Sequence, residues 1–221
     1  MARLPALIDA LAQIDGRPRG SIDHMARGLR EAGLIQTTKR GRGAAEMTAR
    51  DAAALVLGLY GLADASPEAI EQAKDLVDLP LRRLVRPEPA TKRHPLPPVL
   101  RPLASAPTLL DGVAALIELA PLINAAPTTT RKTLDSRAPG FGGSLLLERP
   151  RLYGAIAVNW GSPDASERQG LNVVFRQARA AQGDHAAYEV SIRVQSPVFI
   201  TLHGVLFPPE ASEPAPQVGR R

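Results

Sequence analysis

The chain has 221 residues, of which 44% are hydrophobic, 4% are aromatic and 22% are charged, and its net charge is +5 with an isoelectric point near 10.1. This length and apolar content allow one or two packed domains without covalent cross-links. The chain has no cysteine, which excludes a disulfide framework, a thiolate zinc site and a cysteine nucleophile.

Basic side chains are concentrated in two stretches. Residues 1–50 hold nine basic and five acidic side chains, and residues 80–101 hold six basic and one acidic, so these stretches carry +4 and +5 and the remainder carries −4. Clustered positive charge is typical of nucleic-acid-binding proteins, because phosphate contacts supply most of the nonspecific affinity. Arginine outnumbers lysine 23 to 4, which also fits a solvated surface in an arginine-rich proteome.

The amino-terminal stretch MARLPALIDALAQIDG predicts a protein that stays in the cytoplasm. Its apolar run is interrupted by Asp9 and Gln13, so it is too short and too polar for a signal peptide. No apolar run approaches the roughly 18 residues that a spanning helix needs. We therefore expect a soluble protein with no membrane partner.

Helical spacing of apolar residues predicts two short helices at the start of the chain. The first begins at Leu4 and stops at DGRPRG, where Gly16, Pro18 and Gly20 are expected outside any helix. Ser21 is the predicted N-cap of the second helix, with Asp23 in its first turn, and Gly33 is its predicted left-handed end. The second helix is expected to bury its apolar face, formed by Ile22, Met25, Ala26 and Leu29.

A basic turn follows the second helix. Leu34 and Ile35 are predicted as a short strand, KRGRG as a turn that Gly41 and Gly43 make possible, and AEMT as the returning strand. Thr48 and Asp51 form a capping pair for a third helix over 49–61. Ser66 and Pro67 begin a fourth helix.

This order of elements resembles the winged helix-turn-helix proteins. The matching residues are Ser21 to Ile35 for the recognition helix and its exit and Gln36 to Thr48 for the wing, within residues 1–62. Many family members place a further helix ahead of this pair, and here there is little room for one. SIDHMARGLREAGLI and GRGAAEMTARDAA are also similar to uncharacterised phage and prophage proteins. The resemblance implies binding to double-stranded DNA.

The spacing of the apolar residues changes in the second half of the chain. Residues 80–107 hold eight prolines and are expected to form neither helix nor strand. Thr108 and Asp111 cap a predicted helix over about 109–125, which Pro121 kinks or ends. After Gly140 the apolar period becomes two, which predicts strands. The strand candidates are SLLLERP, LYGAIAVNW, LNVVFRQARA, YEVSIRVQ and VFITLHGVLF.

The sequence therefore predicts an α+β protein with four parts. These are a winged-helix DNA-binding domain at 1–79, a basic proline-rich linker at 80–107, an α+β domain with an antiparallel sheet and a packed helix at 108–208, and a disordered tail at 209–221. The histidines lack the Cys or carboxylate spacing of a zinc site, and PGFGGS lacks the lysine of a phosphate loop. We expect no metal, no cofactor and no enzymatic activity.

Two groups of side chains are the predicted DNA contacts. A helix lying in the major groove would present side chains to base edges or phosphates, and the tip of a wing would reach the minor groove or its flanking phosphates. The ordinary alternatives are a solvated charged helix face and a surface turn. The helix contacts are Ser21, His24, Arg27 and Arg30, and the wing contacts are Lys39, Arg40 and Arg42.

The predicted function is sequence-specific DNA binding by a transcriptional regulator of phage or prophage type, which forms a homo-oligomer, a dimer or larger. One alternative is a phage DNA-packaging or recombination accessory factor whose rear sheet builds an oligomeric ring. Another is a protein-interaction or structural module without DNA binding, whose basic face meets an acidic partner. The sequence leaves the operator, the direction of regulation and any ligand open.

Overall fold

The fold is seen in a computed structural model that describes residues 2–36, 46–86, 96–124, 142–149, 152–160, 169–177 and 190–208. Within these ranges the chain forms eight α-helices, one 3-10 turn at Pro98–Leu100 and five strands. No helix in the described part has the length and hydropathy needed to cross a membrane. The helices are α1 Leu4–Asp15, α2 Arg19–Glu31, α3 Ala49–Gly61, α4 Pro67–Val77, α5 Arg101–Ala104, α6 Leu109–Glu118, α7 Ala120–Asn124 and α8 Ser196–Leu206.

The boundary between α1 and α2 corrects the predicted cap. Gly16 ends α1 in a left-handed conformation with φ of 72°, and Pro18 precedes α2. Because α2 starts at Arg19, Gly20 lies inside the helix, Ser21 lies in its first turn and Asp23 lies beyond that turn. The prediction that Ser21 is the N-cap is wrong, since Pro18, with its φ fixed by the ring, makes the boundary three residues earlier.

The carboxyl end of α2 follows its prediction. Gly33 has φ of 77°, its N–H donates to Arg30 O (3.0 Å), and the N–H of Leu34 donates to Leu29 O (2.9 Å). This pair of hydrogen bonds is the Schellman arrangement, which satisfies carbonyls that the helix end would leave free. The chain is thereby turned sharply away from the α2 axis toward α3.

Helix α3 is the centre of the helical layer. Thr48 and Asp51 form the predicted capping box, and the helix covers the predicted residues 49–61. Its side chains are buried with the exception of Arg50, including the expected Ala52, Leu55, Val56 and Leu59. Small residues allow close neighbours: a Cβ on Gly58 would lie 2.6 Å from Leu29 Cδ1 in α2.

The predicted helix over 109–125 is divided in two. Thr108 accepts from the Asp111 N–H as a cap, α6 ends at Glu118, and α7 begins at Ala120. Pro121 has no N–H to donate to the carbonyl of Ile117 four residues earlier, so the ladder of hydrogen bonds is interrupted there. That carbonyl lies 3.2 Å from His203 Nδ1 instead.

The five strands form one antiparallel sheet in the order β1-β4-β3-β2-β5, which confirms the α+β class and the antiparallel sheet. Alternate residues face the helices: Leu145 and Leu147, Ile156 and Val158, and Val173 and Phe175 are buried. The strands are β1 Leu81–Val85, β2 Gly142–Arg149, β3 Tyr153–Trp160, β4 Gln169–Arg176 and β5 Val190–Gln195.

Two sequence expectations for regular structure are wrong. Residues 81–85, expected in a linker, form edge strand β1 paired with β4, and residues 98–104 are helical. Leu81–Val85 contains no proline, and Pro80 sits ahead of the strand at its edge, where a missing donor costs little. VFITLHGVLF, expected as a strand, lies mainly in α8, because Pro197 favours a helix start and Phe199, Leu202 and Leu206 bury one helical face.

One hydrophobic core runs from the first helix to the last. Helix α3 packs against α6, and α1 packs against α8, so helices from both sides of residues 80–107 share this core. Gly112 of α6 lies against Phe175 and Ile156 of the sheet, and Gly154 of β3 lies against Leu109. The division of the chain into domains stays a prediction, and the tail at 209–221 lies outside the described residues.

Candidate nucleic-acid interface

Helix α2 has one buried face and one solvated face. Ile22, Met25, Ala26 and Leu29 are buried against the core, as predicted. Among the predicted contacts, Ser21, His24 and Arg27 are exposed and Arg30 is half-buried. The solvated face is therefore available for a ligand over the length of the helix.

The four predicted α2 contacts do not share one line. With 3.6 residues per turn, His24 and Arg27 lie about 60° apart around the axis, whereas Ser21 and Arg30 lie on opposite flanks. Gly20 and Glu31 are exposed and belong to the same central line as His24 and Arg27. The structure thus brings His24 and Arg27 together at the middle of the face and sets Ser21 and Arg30 at its margins.

Ion pairs on this face are exposed and weak. Arg27 Nη2 lies 3.8 Å from Asp23 Oδ2, one turn earlier, and both side chains are largely in solvent. Arg19 Nε lies 2.6 Å from Asp9 Oδ1, and the carboxylate raises the pKa of Arg19. Exposed pairs of this kind contribute little to stability, so a phosphate can replace the carboxylate at small cost.

The segment that connects α1 to α2 is attached to α3 by a cluster of polar contacts. Arg17 Nε lies 2.6 Å from Asp15 Oδ2, and its Nη1 donates to Leu59 O (2.6 Å). The Tyr60 hydroxyl donates to Asp15 Oδ1 (3.1 Å), and the guanidinium lies 5.0 Å from the Tyr60 ring centre. Burial, and then the Asp15 carboxylate, raise the pKa of Tyr60. These contacts hold the start of α2 in a fixed position.

Asp51 holds together the two ends of the predicted wing. Gln36 donates to it from its backbone N–H (2.9 Å to Oδ1) and from Nε2 (3.3 Å to Oδ2). Thr48 donates to Oδ2 from its N–H (2.9 Å) and from Oγ1 (2.7 Å). The carboxylate is 4% exposed. Residues 36 and 48, which flank the predicted wing in the chain, are thereby held together.

The basic residues of the predicted wing lie outside the part of the chain that the structure describes. Lys39, Arg40 and Arg42 lie in the segment 37–45, outside the described residues. The prediction that Leu34 and Ile35 form a strand is wrong, because both are bends that leave the Schellman turn. Glu46 to Thr48 also form no strand; their contact with the amino terminus is the hydrogen bond from Met47 N–H to Ala2 O (2.9 Å).

The second basic stretch lies in a different layer. Arg82 and Arg83 are exposed on β1, and Arg82 Nε donates to Arg176 O (3.1 Å). Helix α3 stands between α2 and the sheet, since its Gly58 borders Leu29 of α2 and its Gly61 borders Leu147 of β2. The β1 arginines and the α2 face therefore belong to separate surfaces.

The residues that order this region were only partly predictable. The spacing of Thr48 and Asp51 gives the capping box, yet nothing in the sequence links Asp51 to Gln36 or Arg17 to Tyr60, since those contacts depend on the packing of α2 on α3. Within the described ranges, no three His, Asp or Glu side chains are grouped closely enough to hold a metal ion.

Comparison of the chain with protein-family models, with curated proteins and with solved structures finds no match. The likeness to winged helix-turn-helix proteins accordingly rests on the residues quoted above.

Proposed function

We propose that the chain is a sequence-specific DNA-binding protein that acts as a transcriptional regulator, with α2 as the helix that enters the major groove. The observation that carries the proposal is the adjacency of two features. The solvated face of α2 presents His24 and Arg27, and Asp51 holds together residues 36 and 48, which flank the basic segment 37–45 in the chain, three residues beyond the left-handed end of that helix at Gly33.

The chemistry of the α2 face suits base reading. Arginine can donate two parallel hydrogen bonds to guanine, and histidine can donate to or accept from base edges. Gly20 and Ser21 at the amino end have small side chains, which allows the helix to approach the groove closely. Glu31, at the far end of the central line, repels phosphate and favours an orientation in which the amino-terminal half of α2 is the part in the groove.

The basic segment supplies the second half of the proposed contact. Lys39, Arg40 and Arg42 fall within four residues, and the adjoining Gly41 and Gly43 allow a close backbone approach. The basic side chains of α2 and those of the predicted wing would each contact phosphates. Every phosphate contact makes the affinity fall more steeply as the salt concentration rises.

A salt titration of duplex binding tests the proposal. We expect binding at low salt, and an Arg40→Ala and Arg42→Ala double variant should lose affinity at every salt concentration. Fragments selected by the protein from a random DNA pool should share a sequence that a His24→Ala and Arg27→Ala variant no longer selects. Absence of duplex binding at low salt, or a double variant that binds like the wild type, contradicts the proposed wing.

A further inference from the structure

Helix α8 differs from the other long helices in its surface charge. Over Ser196–Leu206 it has no acidic residue, lysine or arginine. Each of the other described helices of ten residues or more exposes at least one charged side chain: Asp9 in α1, Arg27 in α2, Arg50 in α3, Glu68 in α4 and Glu118 in α6. In a chain that is 22% charged, an entire helix without fixed charge requires an explanation.

The uncharged area continues onto α7, which packs against α8. Helix α7 also has no charged residue. Leu122 is 37% exposed and Phe207, directly after α8, is 46% exposed, so two of the four exposed large apolar side chains in the described residues lie here. We call this area the α7–α8 surface; its exposed members are Pro121, Leu122, Pro197, Gly204, Phe207 and Pro208.

Phe207 is fixed in place before any partner arrives. Its ring lies 4.8 Å from the His203 ring, and His203 Nδ1 lies 3.2 Å from the Ile117 carbonyl, to which Pro121 has no N–H to donate. The phenyl group is therefore exposed and yet held by a chain of contacts to α6. An aromatic side chain that loses little freedom on binding is the usual anchor of a protein interface.

We propose that the α7–α8 surface is a two-fold interface with a second copy of this chain. In such an interface the same patch lies on both sides, so a charged group near the axis meets its own copy and repels it. Two copies of a chain with a net charge of +5 carry net charge of the same sign, which disfavours association through the basic surfaces. The α7–α8 surface has no charged group that would meet its own copy across the axis, and it has a fixed aromatic anchor. A surface that binds an anionic partner would instead be basic.

Gly204 offers a direct test, because a Cβ there would have nothing within 4 Å. A side chain at this helical position is accommodated by the monomer and improves helix propensity. We expect the wild type to sediment as a dimer of twice 23.5 kDa. Gly204→Lys and Gly204→Glu should each be monomeric, and an equimolar mixture of the two should regain the dimer mass.

The restoration in the mixture occurs only if position 204 approaches itself across the axis. A wild type that stays monomeric at high concentration overturns the proposal, and so does an oligomer that persists in both single variants. A mixture that remains monomeric although each variant is folded also overturns it. These outcomes do not depend on DNA binding.

The anchor has a matched control in Leu84, which is also 46% exposed but lies on β1. Phe207→Ser should raise the dimer dissociation constant by about tenfold or more, as removal of an aromatic anchor does. Leu84→Ser should change it by less than about twofold, the usual effect of a residue outside an interface. Equal effects of the two substitutions would contradict the assignment of the interface to the α7–α8 surface.

Discussion

At the scale of single residues, Asp51 illustrates how a buried carboxylate organises the chain around it. A charged group at 4% exposure is costly unless it is fully hydrogen-bonded. Gln36 and Thr48 supply four donors, two from the backbone and two from side chains. The carboxylate thus caps α3 and joins residues 36 and 48, which flank the basic segment 37–45 in the chain.

We expect Asp51→Ala to lower the free energy of unfolding by about 2–4 kcal/mol, because it removes a cap and leaves the partly buried N–H groups of Gln36 and Thr48 without an acceptor. Asp111→Ala is the matched control, since Asp111 holds the same position in the cap of α6 but is more exposed, and its distant partner is the exposed Arg50 side chain instead of a backbone N–H and an amide. Its expected cost is about 1 kcal/mol. Urea denaturation measures both, and equal losses would remove the special role of Asp51.

Tyr60 gives a prediction that depends on pH. Its pKa is raised above the ordinary 10.0 by burial and by Asp15, so the phenol stays protonated in the folded state when it ionises in the unfolded state. The resulting stability is complete below pH 10 and is lost as the pH rises above 10. The free energy of unfolding of the wild type should therefore fall relative to Tyr60→Phe, by at most about 1.4 kcal/mol per pH unit. Parallel stability curves between pH 9 and 11 would contradict this.

At the scale of elements, glycine determines how closely α6 lies on the sheet. A Cβ on Gly112 would lie 2.8 Å from Phe175 Cζ and 3.0 Å from Ile156 Cδ1. Both side chains belong to the buried face of the sheet, where neighbours can move little. The contact therefore fixes the spacing between the helical layer and the strands.

Gly112→Ala should destabilise the protein by about 1–3 kcal/mol, since overpacking outweighs the gain in helix propensity. Gly20→Ala is the control, because Gly20 lies in α2 with nothing within 4 Å of a Cβ. It should leave the midpoint of thermal unfolding unchanged or slightly raised. A Gly112→Ala protein that melts with the wild type would show that α6 can shift away from the sheet.

Capping residues and apolar spacing predict a helix or strand correctly where the packing of the core favours the same structure. Helix α3 was located to the residue, because the Thr48 and Asp51 cap, the apolar period and Gly61 all indicate the same bounds. Ser21 failed as a cap because Pro18 makes an equally good boundary. The prediction of a strand in the segment that forms α8 is wrong. The β-branched residues Val198, Ile200 and Thr201 favour a strand, but the segment is helical because a helix buries Phe199 and Leu202 on one face.

Long-range contacts explain what the sequence could not supply about the site. The exposure of His24 and Arg27 follows from the helical period alone, and both are exposed. The pairing of β1 with β4 joins residues about 90 positions apart, and no local pattern encodes it. The same holds for the contact of Asp51 with Gln36, which depends on how α2 packs on α3.

At the scale of the whole molecule, the layers separate three surfaces. The α2 face lies on one side of α3, the sheet with Arg82 and Arg83 lies on the other, and the α7–α8 surface is uncharged. A dimer through the uncharged surface would leave both α2 faces free. Two recognition helices related by a two-fold axis would then fit a pseudo-palindromic site.

We propose that the α2 face, rather than positive charge in general, binds duplex DNA. Arg27→Ala with Arg30→Ala removes two charges from that face, and Arg82→Ala with Arg83→Ala removes two exposed charges from β1, so both variants have the same net charge.

The measurement is the slope of log affinity against log salt concentration for the wild type and both variants. Each lost phosphate contact reduces the slope by about 0.9, so the α2 variant should show a slope smaller by about 1–2 with weaker binding. The β1 variant should retain the wild-type slope. Identical slopes for the two variants, or an α2 variant that binds like the wild type, would contradict the account.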